Sequence, residues 1–203
     1  MLIVVVHRAP VLPVSVVAAF ALGVLTAFAQ GWLPEGVGSL ANSSGSWVLV
    51  AVALALLAPT AELAAITGAC ALLMLLVGYV VGAGLKGFTS GTTLVAFWGL
   101  AGVLAGPPLG LAAHAIRRGP PMPAALGAAA VAGVLIGEAI HGLTRLGQPV
   151  YWAIEGALGI AIVFATAERH RLTTTEAVTA AAATAAVAAA FVAIYGADLI
   201  ALV

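Results

Sequence analysis

Apolar runs of membrane-spanning length follow one another along the whole chain, with only a few residues between them. Of 203 residues, 64% are hydrophobic and 7% are charged. A soluble domain carries roughly 25% charged residues, so 14 charged side chains could not cover a soluble fold of this size. One crossing takes about 20 apolar residues. The sequence therefore predicts an all-α, polytopic transmembrane helix bundle forming a single domain over residues 1–203, with no space for a soluble module. Its immediate partner is the lipid bilayer. Net charge is zero, which gives no basis for a nucleic-acid partner. The single cysteine, Cys70, cannot form an intrachain disulfide.

Seven apolar segments are legible, at about 14–33, 46–59, 63–84, 93–116, 121–143, 150–167 and 175–202. Ala27-Phe28-Ala29 resembles a signal-peptide cleavage site. The run before it has full spanning length, however, and reads as a retained first helix. The second segment is short and ends at Pro59, so six crossings is the alternative count. Pro107-Pro108 interrupts the fourth. Charge decides between six and seven. With seven crossings and a cytoplasmic N-terminus, Arg8, Arg117, Arg118, Arg169 and Arg171 fall inside, and Lys86 and Arg145 outside. Fusing the second and third segments spoils that bias, so the positive-inside rule favours seven.

Glycines recur at a spacing of four: Gly102, Gly106 and Gly110, Gly78 and Gly82, Gly133 and Gly137. Small residues at this spacing let helix backbones approach closely. They predict packing within the chain, with a homodimer seam or a membrane partner subunit as the alternative.

Ionisable groups inside a bilayer are costly, about 2.5–3.5 kcal/mol each at mid-depth. Under the seven-helix topology they gather in the outer half. Glu138, His141 and Arg145 follow along the fifth segment at helical spacing. Glu155 lies about 8 Å into the sixth, with Trp152 one turn before it. Asp198 and Tyr195 share a face of the seventh, Tyr79 and Lys86 end the third, and Trp98 sits in the fourth. The inner half holds only Glu62 and His114 in comparable positions. An outward-facing pocket for a small-molecule ligand, formed by Glu138, His141, Glu155, Trp152, Trp98, Tyr79, Asp198 and Arg145, would account for the asymmetry. The bland alternatives are an interfacial aromatic belt that includes Trp32, Trp47, Tyr151 and Trp152, and structural ion pairs of the two glutamates with Arg145 or Lys86.

Glu138-Ala139-Ile140-His141 is one E-x-x-H step. Helical-bundle metal sites need two such steps, so no metal is assigned. No metalloprotease, phosphate-loop or nucleophile-elbow motif occurs, and no cofactor is implied. Two neighbouring carboxylates can share a proton. That suits proton-coupled uptake of a solute or, as the alternative, carboxylate acid/base chemistry on a lipid or isoprenoid, and the glycine-lined faces suit a third reading, an accessory subunit of a larger membrane complex.

Ala41-Asn42-Ser43 followed by Trp47, Val77-Gly78-Tyr79-Val80, Phe97-Trp98-Gly99-Leu100, Gly106-Pro107-Pro108-Leu109-Gly110, Leu135-Ile136-Gly137-Glu138 and Tyr151-Trp152-Ala153-Ile154-Glu155 form a pattern across most of the chain. It resembles an uncharacterised bacterial integral-membrane family, a domain of unknown function, and implies no activity. A looser similarity is to the substrate-binding components of energy-coupling-factor transporters. That likeness implies an outward pocket, and a first-helix face of Ala18, Ala19, Gly23 and Ala27 meeting a coupling subunit. Those components typically have six helices rather than seven.

Overall fold

The computed structural model describes residues 10–196. Seven α-helices follow in order: α1 (Val11–Ala29), α2 (Ser44–Ala55), α3 (Ala61–Leu85), α4 (Thr92–Arg118), α5 (Pro121–Arg145), α6 (Pro149–His170) and α7 (Thr174–Gly196). A 3₁₀ helix, Glu35–Ala41, precedes α2. Six of the helices, all but α2, are long and apolar enough to cross a membrane. The 3₁₀ helix and α2 pass the same test only as a pair, bent by 51° at the break between them, the form of a broken span or a re-entrant loop.

Contacts at its two ends show how far α2 reaches. Its first residues meet Glu138, late in α5, and Tyr195, at the end of α7. Its last carbonyls meet Arg117 and Arg118, at the opposite end of the bundle where α4 stops. Twelve residues cover only about 18 Å, and the 3₁₀ helix and the arginine side chains make up the rest. The two ends of the bundle are called the pocket end and the basic end below.

Around α2 the helices form two groups of three. In one, α3 packs along α1 and α4; in the other, α5 packs along α6 and α7. The groups meet through α4 and α5, and α2 lies between them. Val48, Val52 and Ala55 of α2 join Leu109, Ala113, Val131 and Leu135, while Ala51 packs with Ala19, Ala71 and Leu75.

Helices in lipid gain nothing from leaving water and associate through close packing instead. The glycines supply it. A Cβ on Gly110 would lie 2.0 Å from the Ala64 carbonyl oxygen, and one on Gly106 would lie 2.4 Å from Ala69 Cα. Gly78 and Gly23 do the same between α3 and α1, against the carbonyls of Phe20 and Leu75. Gly133 and Gly137 abut Val187 and Ala188 of α7. The spaced glycines thus pack within the chain, and their faces are not free for a second copy.

Ala19, Gly23 and Ala27 are also buried, on the α1 face that meets α3. The coupling-subunit surface implied by the transporter likeness is therefore already occupied by the chain's own third helix. One further expectation changes. Pro107 and Pro108 do not interrupt the fourth segment, since α4 runs through both; helix-breaking residues are tolerated in spans whose neighbours re-satisfy the freed backbone groups.

Candidate functional site

A helix that begins inside a bundle has three or four backbone N–H groups without intrahelical partners. In α2 every one of the first three is met. Ser43 is the N-cap, and its Oγ accepts from Ser46 N at 2.9 Å. Glu138 of α5 takes the other two: its Oε1 accepts from Ser44 N at 2.8 Å, and its Oε2 accepts from Gly45 N. A carboxylate is the natural counterpart of a helix N-terminus, which carries about half a positive elementary charge. Glu138 is 5% exposed, so this charge has been taken out of solvent and given a backbone partner.

A second carboxylate stands beside the first. Glu155 of α6 is 2% exposed, and neither of its oxygens has a hydrogen-bond partner among the described residues. It presses on the same turn of α2: a Cβ on Gly45 would sit 1.7 Å from Glu155 Oε1. The glycine is what lets the carboxylate approach the backbone.

Two tyrosines close the ring. Tyr151 Oη and Ser43 Oγ share a hydrogen bond of 2.5 Å, and Tyr195 Oη bonds Ser44 Oγ. Tyr195 is fixed by stacking on Phe191, with ring centroids 4.2 Å apart. The 3₁₀ helix is held by Gln148, whose Oε1 accepts from Ser39 N at 3.1 Å and Ser39 Oγ at 2.9 Å. Gln148 and Gly147 both adopt positive φ, 56° and 73°, which turns the α5–α6 loop back over the break. Gly147 reaches that region without strain, whereas Gln148 reaches it against its side chain's preference.

In front of this ring lies a cavity of about 410 Å³. Glu138, Ser43 and Ser44 line it beside the break between the 3₁₀ helix and α2. Trp47, Trp98, Trp152, Tyr79 and Tyr195 form much of its wall, with Leu76, Leu94 and Val95. A volume of this size suits a small organic molecule. A second cavity, of about 540 Å³, lies at the basic end between Val11, Val14, Pro59, Leu63 and the two arginines Arg117 and Arg118.

Of the residues expected at a pocket, Glu138, Trp152, Trp98 and Tyr79 line the first cavity. Glu155 lies behind it, against Gly45. His141 is half-buried and sits edge-on to Tyr195, with ring centroids 5.4 Å apart, outside the cavity wall. Arg145 is exposed and also outside the wall. Asp198 lies outside the described residues. The ion pairs set against the pocket do not form: Lys86 Nζ donates to Ala27 O at 2.7 Å, capping α1, and Glu138 is held by backbone N–H groups. Among the described residues no three of His, Cys, Asp and Glu come close enough to hold a metal ion.

Ser43, Ser44, Gly45 and Trp47 belong to the site and were not singled out for it in the sequence, and Tyr195 was named only among the outer-half groups and not among the pocket residues. The signal for them is the Asn42-Ser43-Ser44-Gly45-Ser46 run ahead of an apolar segment, a helix-start signature.

The chain belongs to the Family of unknown function (DUF6518), whose model matches residues 5–200. No curated protein and no solved structure matches it. The family membership agrees with the resemblance drawn from the sequence motifs. The likeness to energy-coupling-factor components finds no support in these comparisons.

Proposed function

We propose that this member of the family binds, and takes up, a small solute through the cavity at the break in the second span. The observation that carries the reading is the juxtaposition of that 410 Å³ cavity with an interrupted helix whose N-terminus holds a buried carboxylate. Interrupted helices put unpaired backbone groups, partial charges and space at one depth, which is why membrane transporters build solute sites from them. A bundle that only had to be stable would gain from an unbroken second span and an apolar residue at 138.

The cavity faces the outside in this reading. Arg117, Arg118, Arg169 and Arg171 gather at the basic end, against Lys86 and Arg145 at the pocket end. The positive-inside rule then puts the basic end and the N-terminus in the cytoplasm of a multi-pass cell-membrane protein.

The test is a thermal-shift screen of water-soluble metabolites against the protein in lipid nanodiscs. A solute of the site should raise the unfolding temperature of the wild type and lose that effect in Trp98→Leu and Tyr79→Leu. Hits indifferent to both substitutions, or no hits from a broad set, would contradict the proposal.

A further inference from the structure

We propose that the solute is an organic cation, a protonated amine or quaternary ammonium ion. The inference rests on the solute-binding reading above and names its chemical class. It starts from a charge imbalance. Two buried carboxylates, Glu138 and Glu155, press on one helix turn. The turn offers about half a positive charge, and Glu138 already uses its two free N–H groups. Glu155 is left without a donor for either oxygen. A buried carboxylate without a partner is strongly unfavourable as an anion, and it is satisfied either by a proton shared with its neighbour or by a cation brought into the cavity.

Among the described residues no basic side chain supplies that cation. Lys86 is engaged at the end of α1, between the Phe28 and Phe88 rings. Arg145 is exposed, and among the described residues neither it nor any other basic residue lines the cavity. The wall does provide the other half of a cation site. Five aromatic side chains, three of them indoles, line the cavity together with Glu138. Aromatic faces attract cations, and indole attracts them best. Glu138 has two further lone-pair positions beyond those its N–H donors use. A wall that is acidic and aromatic with no basic group disfavours an anion and gives a neutral solute no electrostatic gain.

Binding of choline to the protein in nanodiscs, followed by tryptophan fluorescence, tests the class. Its comparison ligands are the uncharged carbon isostere, in which a tert-butyl group replaces the trimethylammonium, and butyrate. Tetramethylammonium and tetraethylammonium vary the size. At least one ammonium ion should bind about ten-fold or more tightly than the uncharged isostere. Trp98→Leu should weaken that ion's binding about ten-fold. Glu155→Gln, which keeps the side chain's shape, should abolish the preference for the charged ligand while the protein remains folded. Isostere or butyrate binding as tightly as the cations, with loss in Trp98→Leu, would overturn the cation class and leave the solute cavity standing. Failure of all the ammonium ions to bind would also overturn it, and the metabolite screen would then decide the solute reading on its own.

Discussion

Glu138 holds the start of α2, and substitutions can measure how much of the fold depends on it. Hydrogen bonds to a charged group contribute roughly 1.5–3 kcal/mol each, and Glu138 accepts two from the start of α2. Glu138→Ala leaves both N–H groups buried without an acceptor and should lower the unfolding temperature in detergent sharply. Glu138→Gln keeps one acceptor oxygen and should fall between Ala and wild type. Tyr151→Phe removes only the hydroxyl that meets Ser43 and should cost about 1 kcal/mol. If Glu138→Ala proved no worse than Tyr151→Phe, the cap would not be what holds α2 in place. The glutamates were legible in the sequence because a carboxylate in an apolar run is too costly to be incidental. Their neighbours were less so. His141, three residues on from Glu138, is rotated by about 60° on the helix and turns toward Tyr195 of α7. Arg145 keeps the azimuth but rises about 10 Å further, clear of the cavity. Shared-face spacing alone does not separate these cases.

Short as it is, α2 is compensated at both ends. A carboxylate sits at its N-terminus, and Arg117 and Arg118 donate to the Leu56 and Ala58 carbonyls at its C-terminal end. The same device recurs where α4 stops, with Arg169 Nη2 donating to Arg117 O at 3.2 Å and His170 Nε2 lying 2.8 Å from Ile116 O. The arginines that set the charge bias along the chain thus also close helices. Arg117→Ala combined with Arg118→Ala should lower the unfolding temperature by several degrees, and calorimetry would show it; no change would mean that solvent satisfies those carbonyls as well. The helix contacts make a separate prediction. Gly110→Ala drives a methyl group into the Ala64 backbone, whereas a Cβ on Gly99 meets nothing closer than 3.8 Å. The first should destabilise by about 1–3 kcal/mol, and the second should leave folding unchanged. Equal behaviour of the two would contradict the close α3–α4 packing. The α-helices themselves were legible from the apolar runs, including the short second one. The 3₁₀ helix was not, because Glu35–Ala41 carries no apolar period and is fixed by the contact of Gln148 with Ser39, which is distant in sequence.

Across the whole molecule, polarity is divided between the ends. One end gathers arginines around helix C-termini, and the other gathers carboxylates, tyrosines and indoles around the break before α2. The division was visible in the sequence once seven crossings were counted. The cavity was not, because its lining comes from residues far apart in the chain, from Ser39 to Tyr195. Its direction is the point on which the uptake account stands or falls. Ser90 lines the cavity between α3 and α4, and Thr174 starts α7 at the basic end. In a Cys70→Ser background, Ser90→Cys and Thr174→Cys can each be challenged with a membrane-impermeant maleimide on intact cells. The account predicts labelling at 90 from outside, and at 174 only after the cells are opened. Labelling at 174 but not at 90 in intact cells would place the carboxylates on the cytoplasmic side and contradict uptake through this cavity.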